Sequence, residues 1–122
     1  MVKEIAFVAY PCNDVASTRA WYEKHLGLRF SAPYSEDGVE QYNESHIGSG
    51  YFSLMTHVWM ERPAGSGVGV AFEVEDIEKT ISQLRAAGLD ASDIYETPVC
   101  KVSSVNDPEG NKVTFHQITV PH

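Results

Sequence analysis

The sequence has little of what would place it in a membrane, in an oxidising compartment or on nucleic acid. No apolar run approaches the roughly 20 residues that a membrane-spanning helix needs. There are two cysteines, Cys12 and Cys100, with neither a CxxC pair nor a zinc-type spacing. They read as reduced thiols, and no disulfide framework is expected. The start, Met-Val-Lys-Glu-Ile-Ala-Phe, runs straight into alternating residues and lacks the layout of a secretory signal, so a cytoplasmic protein is expected. Basic residues are scarce too, nine against seventeen acidic ones, for a formal charge of -8. Neither nucleic acid nor an anionic membrane is then an expected partner, because both reward basic patches. The acidic balance favours solubility and is compatible with a cationic ligand.

What is present is ordinary globular material. The chain has 122 residues, 43% hydrophobic and 21% charged, which suits one compact domain. Residues 3–10 alternate as a strand that Pro11 should end. Asn13-Asp14 caps a helix running to His25-Leu26, and Gly27 is placed to stop it. Asp37-Gly38 marks a hairpin, followed by strands over 39–47 and 51–58. The segment 61–67 (ERPAGSG) is the one linker-like stretch. The pattern then restarts: a strand over 68–74, a helix from Asp76 to Ala87 ended by Gly88, and short strands over 92–96 and 100–106. Asp107-Pro108-Glu109-Gly110 is a turn, with proline presetting φ and glycine accepting a positive one. A last strand covers 111–118.

The two halves repeat. Asp14-Val15 matches Asp76-Ile77, Thr18 matches Thr80 and Tyr10 matches Phe72, each 62 positions apart, while Gly50 and Gly110 are 60 apart. Two copies of strand-helix-strand-strand-strand predict an α+β fold with two curved mixed sheets, in modules 1–60 and 67–122.

CNDVASTRAWYEKHLGLRF, VAFEVEDIEKTISQLRAAGL and DPEGNKVTFHQ, in that order, resemble signatures of the glyoxalase/bleomycin resistance protein/dioxygenase (vicinal oxygen chelate) superfamily over essentially the whole chain. The resemblance implies metal ligands on the concave sheet face, one on the first and one on the last strand of each module. By their distance from the shared landmarks these positions are Phe7 and Gly69, seven residues before Asp14 and Asp76, and Leu54 and Thr114, four residues after Gly50 and Gly110. A one-residue slip would substitute Ser53 or Met55, and Val113 or Phe115. None supplies an oxygen or imidazole donor set suited to a hard divalent ion. No metal or other cofactor is therefore expected at the usual site, and the four positions are expected to line a ligand cavity instead.

Two functions compete. The resemblance to bleomycin-resistance proteins, acidic homodimers that sequester a basic, partly planar drug, implies a binder of a small organic molecule and a role in antibiotic resistance. Phe7, Phe52, Leu54, Gly69 and Thr114 would line its groove, and Trp59, in the loop after the fourth strand, would stack on the ligand. The alternative is a lyase or isomerase. Glu73 and His116 fall on the concave face by alternation and would serve as an acid–base pair, or displaced ligands would hold a metal. His25, His46 and His57 read as surface or helix-end residues, His122 as an unordered end, and Trp21 and Tyr22 as core. Because a curved sheet leaves apolar surface to be covered, a homodimer is expected. Light scattering at micromolar concentration should give twice the mass of the chain; the mass of one chain would contradict this.

Overall fold

A computed structural model of the protein describes residues 1–120; His122 lies outside the described residues. The elements in order are β1 (Val8–Cys12), α1 (Val15–Leu26), β2 (Tyr34–Glu36), β3 (Val39–Ile47), β4 (Gly50–Thr56), α2 (His57–Met60), β5 (Val70–Glu73), α3 (Ile77–Ala86), β6 (Tyr95–Glu96), β7 (Cys100–Asn106) and β8 (Lys112–Ile118). They form two four-stranded mixed sheets, ordered β1-β4-β3-β2 and β5-β8-β7-β6. The α+β class and the doubled strand-helix-strand-strand-strand order are those the repeat predicts. Contacts group residues 1–68 with 107–111, and residues 69–106 with 112–120. The turn 107–111, late in the sequence, thus packs in the first unit.

Two boundaries differ from expectation. Pro11 lies inside β1 and does not end it. β1 is an edge strand, where a residue lacking an N–H is tolerated, and it pairs in parallel with β4. The strand expected to run to residue 58 stops at Thr56, whose hydroxyl accepts the Val58 N–H at 3.4 Å and starts the single turn α2. Trp59 therefore sits in a helical turn, not in a loop.

In the first unit, the Asp14 carboxylate accepts the Ser17 N–H at 3.0 Å, and Gly27 closes α1 at φ 68°. Val15, Thr18 and Tyr22 on the inner face of α1 are buried. Tyr22 packs on Phe52, ring centroids 5.1 Å apart, and Phe52 packs on Tyr10 at 5.4 Å. The 107–111 turn adds a polar plug to this core. The Tyr22 hydroxyl donates to Asp107 at 2.8 Å, and the Asn111 side chain donates to the Pro11 carbonyl at 3.2 Å while accepting the Gly67 N–H at 2.9 Å. Glu109 accepts the N–H groups of Asn13 and Asp14 at the start of α1. Gly67 is required there, since a Cβ would stand 2.5 Å from the Tyr10 ring.

Burial pushes the Asp107 carboxyl above its usual range, against the pull of its bonds from Tyr22 and Asn111. It also pushes the Cys12 thiol up to about 12, helped by the nearby charges of Asp107 and Glu109. In the second unit, Asp76 caps α3 by accepting the Lys79 N–H at 3.2 Å, and Gln117 accepts the Ile77 N–H at 2.8 Å. Ile77, Ile81 and Leu84 are buried, as are Val105, Val113 and Phe115 of the sheet α3 covers.

Two outcomes follow from the core. A thiol reagent should label Cys100 in the native protein and reach Cys12 only on unfolding, because Cys12 is buried and its thiolate strongly disfavoured; equal labelling rates would contradict the burial. Asn111→Ala strands the Pro11 carbonyl and the Gly67 N–H, and should cost about 2–5 kcal/mol in urea unfolding. A loss below about 0.5 kcal/mol, the scale of an ordinary surface change, would show that the plug is not holding the core.

Candidate functional site

Successive side chains on a strand point to opposite faces, so a helix covering one face assigns every residue. On β4, Phe52 and Leu54 are buried at 2% and 0% exposure, and Phe52 lies against Tyr22 of α1. They belong to the helix side, and the expectation that they line an open groove is corrected. Tyr51, Ser53 and Met55 take the opposite face, the one-residue slip considered from the sequence.

That opposite face of the first sheet carries a row of aromatic rings. Phe7, just before β1, is 44% exposed and meets Tyr42 of β3 edge-on, centroids 6.3 Å apart. Tyr42 bonds the Ser53 hydroxyl at 2.8 Å and donates to Glu44 at 3.3 Å. Burial raises the Tyr42 phenol above its ordinary range, against the Ser53 bond and with the help of the Glu44 charge, so it stays protonated. Tyr34 of β2 pairs directly with Tyr42 in the register and so shares its face. Tyr34 in turn meets Trp59 of α2 at 5.7 Å. Tyr34 and Trp59 are 50% and 44% exposed. The sequence reading singled out Phe7 and Trp59 but missed Tyr34 and Tyr42. Their pairing depends on the β2–β3 register, which shifts between Tyr34 and Ser35.

The second sheet is different. Val113 and Phe115 of β8 are buried on the helix side, so Lys112, Thr114 and His116 take the other face. Thr114 lies beside Ala71 and Ser104, and His116 beside Glu73 and Val102. The alternation that placed Glu73 and His116 together holds. His116 Nδ1 is 2.5 Å from Glu73 Oε1, and Glu73 Oε2 accepts the Ile118 N–H at 2.8 Å. A cavity of about 140 Å³ on this sheet is lined by Ser92, Tyr95, Val102, Ser104, Lys112 and Thr114, among others. Gly69, exposed ahead of β5, has φ 121°, a conformation that L side chains rarely adopt. Any replacement there would strain the backbone even though the space is open.

The other histidines fall into ordinary packing. His25 is near Trp21 at 5.4 Å, His46 stacks on Tyr51 at 4.8 Å, and His57 opens α2. Among the described residues no group of three or more His, Cys, Asp or Glu is arranged to hold a metal ion. The residue types at the first- and last-strand positions do not fit one either: phenylalanine and glycine carry no ligand atom, and serine and threonine hydroxyls are weak donors. Among the described residues no helix is long and apolar enough to cross a membrane.

The family model of the Glyoxalase/Bleomycin resistance protein/Dioxygenase superfamily matches residues 4–115. No curated protein gives a significant match. Solved structures share the fold over nearly their whole length. TnmS3, an antibiotic binding protein from Streptomyces sp. CB03234, is 14% identical with a TM-score of 0.81, covering 97% of this chain and 98% of that one. A lactoylglutathione lyase from Agrobacterium tumefaciens is 17% identical with a TM-score of 0.75, covering 95% and 94%. TioX from Micromonospora sp. ML1 is 19% identical with a TM-score of 0.74, covering 94% and 98%. At these identities the likeness is one of fold.

Proposed function

The chain belongs to the glyoxalase/bleomycin resistance protein/dioxygenase superfamily, and on that footing we propose that it binds a small planar organic molecule, aromatic and favoured when cationic, without a metal. The observation that carries this reading is the row Phe7–Tyr42–Tyr34–Trp59 on the uncovered face of the first sheet. Phe7 meets Tyr42 edge-on and Tyr34 is tilted against Trp59, arrangements that leave flat π surface for a planar ligand, and the face of each ring attracts positive charge. The formal charge of -8 draws cations toward the protein at long range. The antibiotic-binding description of TnmS3 supports the same direction. The donor chemistry described above favours binding that does not depend on a metal. The reading also includes a cytoplasmic homodimer; Ile5 and Tyr51 leave exposed apolar surface near Phe7 that a second copy would cover.

Ethidium, a planar aromatic cation, is a direct probe. Its fluorescence should report saturable binding that weakens as salt is raised. Replacing both Tyr34 and Trp59 with alanine should weaken it by about ten-fold, the loss of two ring contacts. Unchanged affinity in the double variant would show that the aromatic row is not the binding surface.

A further inference from the structure

The uncovered face of the first sheet carries a carboxylate held in place by a chain of hydrogen bonds. Tyr42, Glu44 and His46 follow one another on that face of β3, and the register sets Glu44 directly against Ser53 of β4. A carboxylate only accepts hydrogen bonds, so the one hydrogen of the Tyr42 hydroxyl goes to Glu44 Oε2 at 3.3 Å. The Ser53 hydroxyl, 2.8 Å from that of Tyr42, is then the donor of the pair. Ser53 is fully buried and Glu44 half-buried, so the chain starts in the floor of the sheet and ends at its surface. Nearby acids are placed differently. Glu40, beyond the irregularity in the β2–β3 ladder, and Glu23 both pair with Arg19 of α1, at 2.9 and 2.7 Å. Among the described residues no Lys, Arg or His forms an ion pair with Glu44. His46, two residues further along the same face, is stacked on Tyr51 at 4.8 Å.

A half-buried carboxylate bonded by one phenol lacks the compensation that a partly desolvated charge requires. Along β3, Tyr42 and the aromatic row it belongs to lie on one side of Glu44, and the His46–Tyr51 stack lies on the other. An N–H cation is the group that this setting lacks. We propose that Glu44 accepts a charge-assisted hydrogen bond from a protonated amine of the ligand, whose aromatic part lies on the row. The inference rests on the reading that the row holds a small planar molecule, and it narrows the class from any aromatic cation to one with hydrogen to donate. A quaternary ammonium is attracted by the same ring faces but offers Glu44 no hydrogen. All the groups involved lie within residues 1–68, in the first unit.

Three probes with one ring system separate these contributions: 2-naphthylmethylamine, protonated at neutral pH, its N,N,N-trimethyl counterpart and 2-naphthylmethanol. The wild-type protein should bind the amine about ten-fold more tightly than the alcohol, the scale of one hydrogen bond to a charged group, and more tightly than the trimethyl cation. Glu44→Gln keeps the shape of the side chain and an acceptor for the Tyr42 hydroxyl, and should bring the amine down to the level of the alcohol. The order of the three probes in the wild-type protein decides the matter even where the variant does not fold. Equal binding of amine and alcohol, tightest binding of the trimethyl cation, or an amine preference that survives Glu44→Gln would each overturn the proposal. In those cases, binding that still depends on Tyr34 and Trp59 leaves the proposed function standing. No binding of any probe up to millimolar concentration would overturn this inference, and the ethidium titration then decides the wider reading separately.

Discussion

Each sheet in this protein packs one face against a long helix, α1 or α3, and strand alternation makes that choice of face decide every other assignment. On β4 a one-residue step separates the core residues Phe52 and Leu54 from Tyr51, Ser53 and Met55 on the opposite side. On β8 the same step separates Val113 and Phe115 from Thr114 and His116. A helix cannot pack on both faces, so the second face of each sheet is left to other work. In the first sheet that face is aromatic; in the second it is hydroxylic and carries the Glu73–His116 pair.

The covered face owes its stability to more than apolar area. Tyr22 reaches through the core to the buried Asp107, and Asn111 satisfies backbone groups of Pro11 and Gly67 on both sides of it. A turn encoded near the end of the chain thereby fixes the helix and edge strand encoded at its beginning. Buried polar groups are tolerated only when their partners are complete, and no buried side-chain nitrogen or oxygen among the described residues is left without one. The same burial keeps Cys12 inert, with its thiol pushed up to about 12.

Much of this was legible in the residues. Asp14 and Asp76 as caps, Gly27 and Gly88 as stops, and the Asp107–Gly110 turn all follow from local chemistry that packing reinforces. Period-two alternation put Glu73 and His116 on the same kind of face, but their direct contact comes from the β5–β8 register. Leu54 was misplaced because counting from Gly50 fixes a position along the strand but not which face a helix covers. Pro11 was read as a strand end because sequence does not reveal that β1 is an edge. Tyr34 and Tyr42 went unnoticed because their adjacency depends on strand register and on a local shift in it. Register is a tertiary property, and aromatic spacing in the sequence carries no mark of it.

The central claim is that the uncovered sheet face, and not a helix surface, receives the ligand. Backbone amide NMR of the labelled protein during an ethidium titration measures this directly. The account predicts the largest shift changes at Phe7, Tyr34, Tyr42 and Trp59, with α1 little affected. Changes concentrated along α1 or α3, with those four residues still, would contradict it.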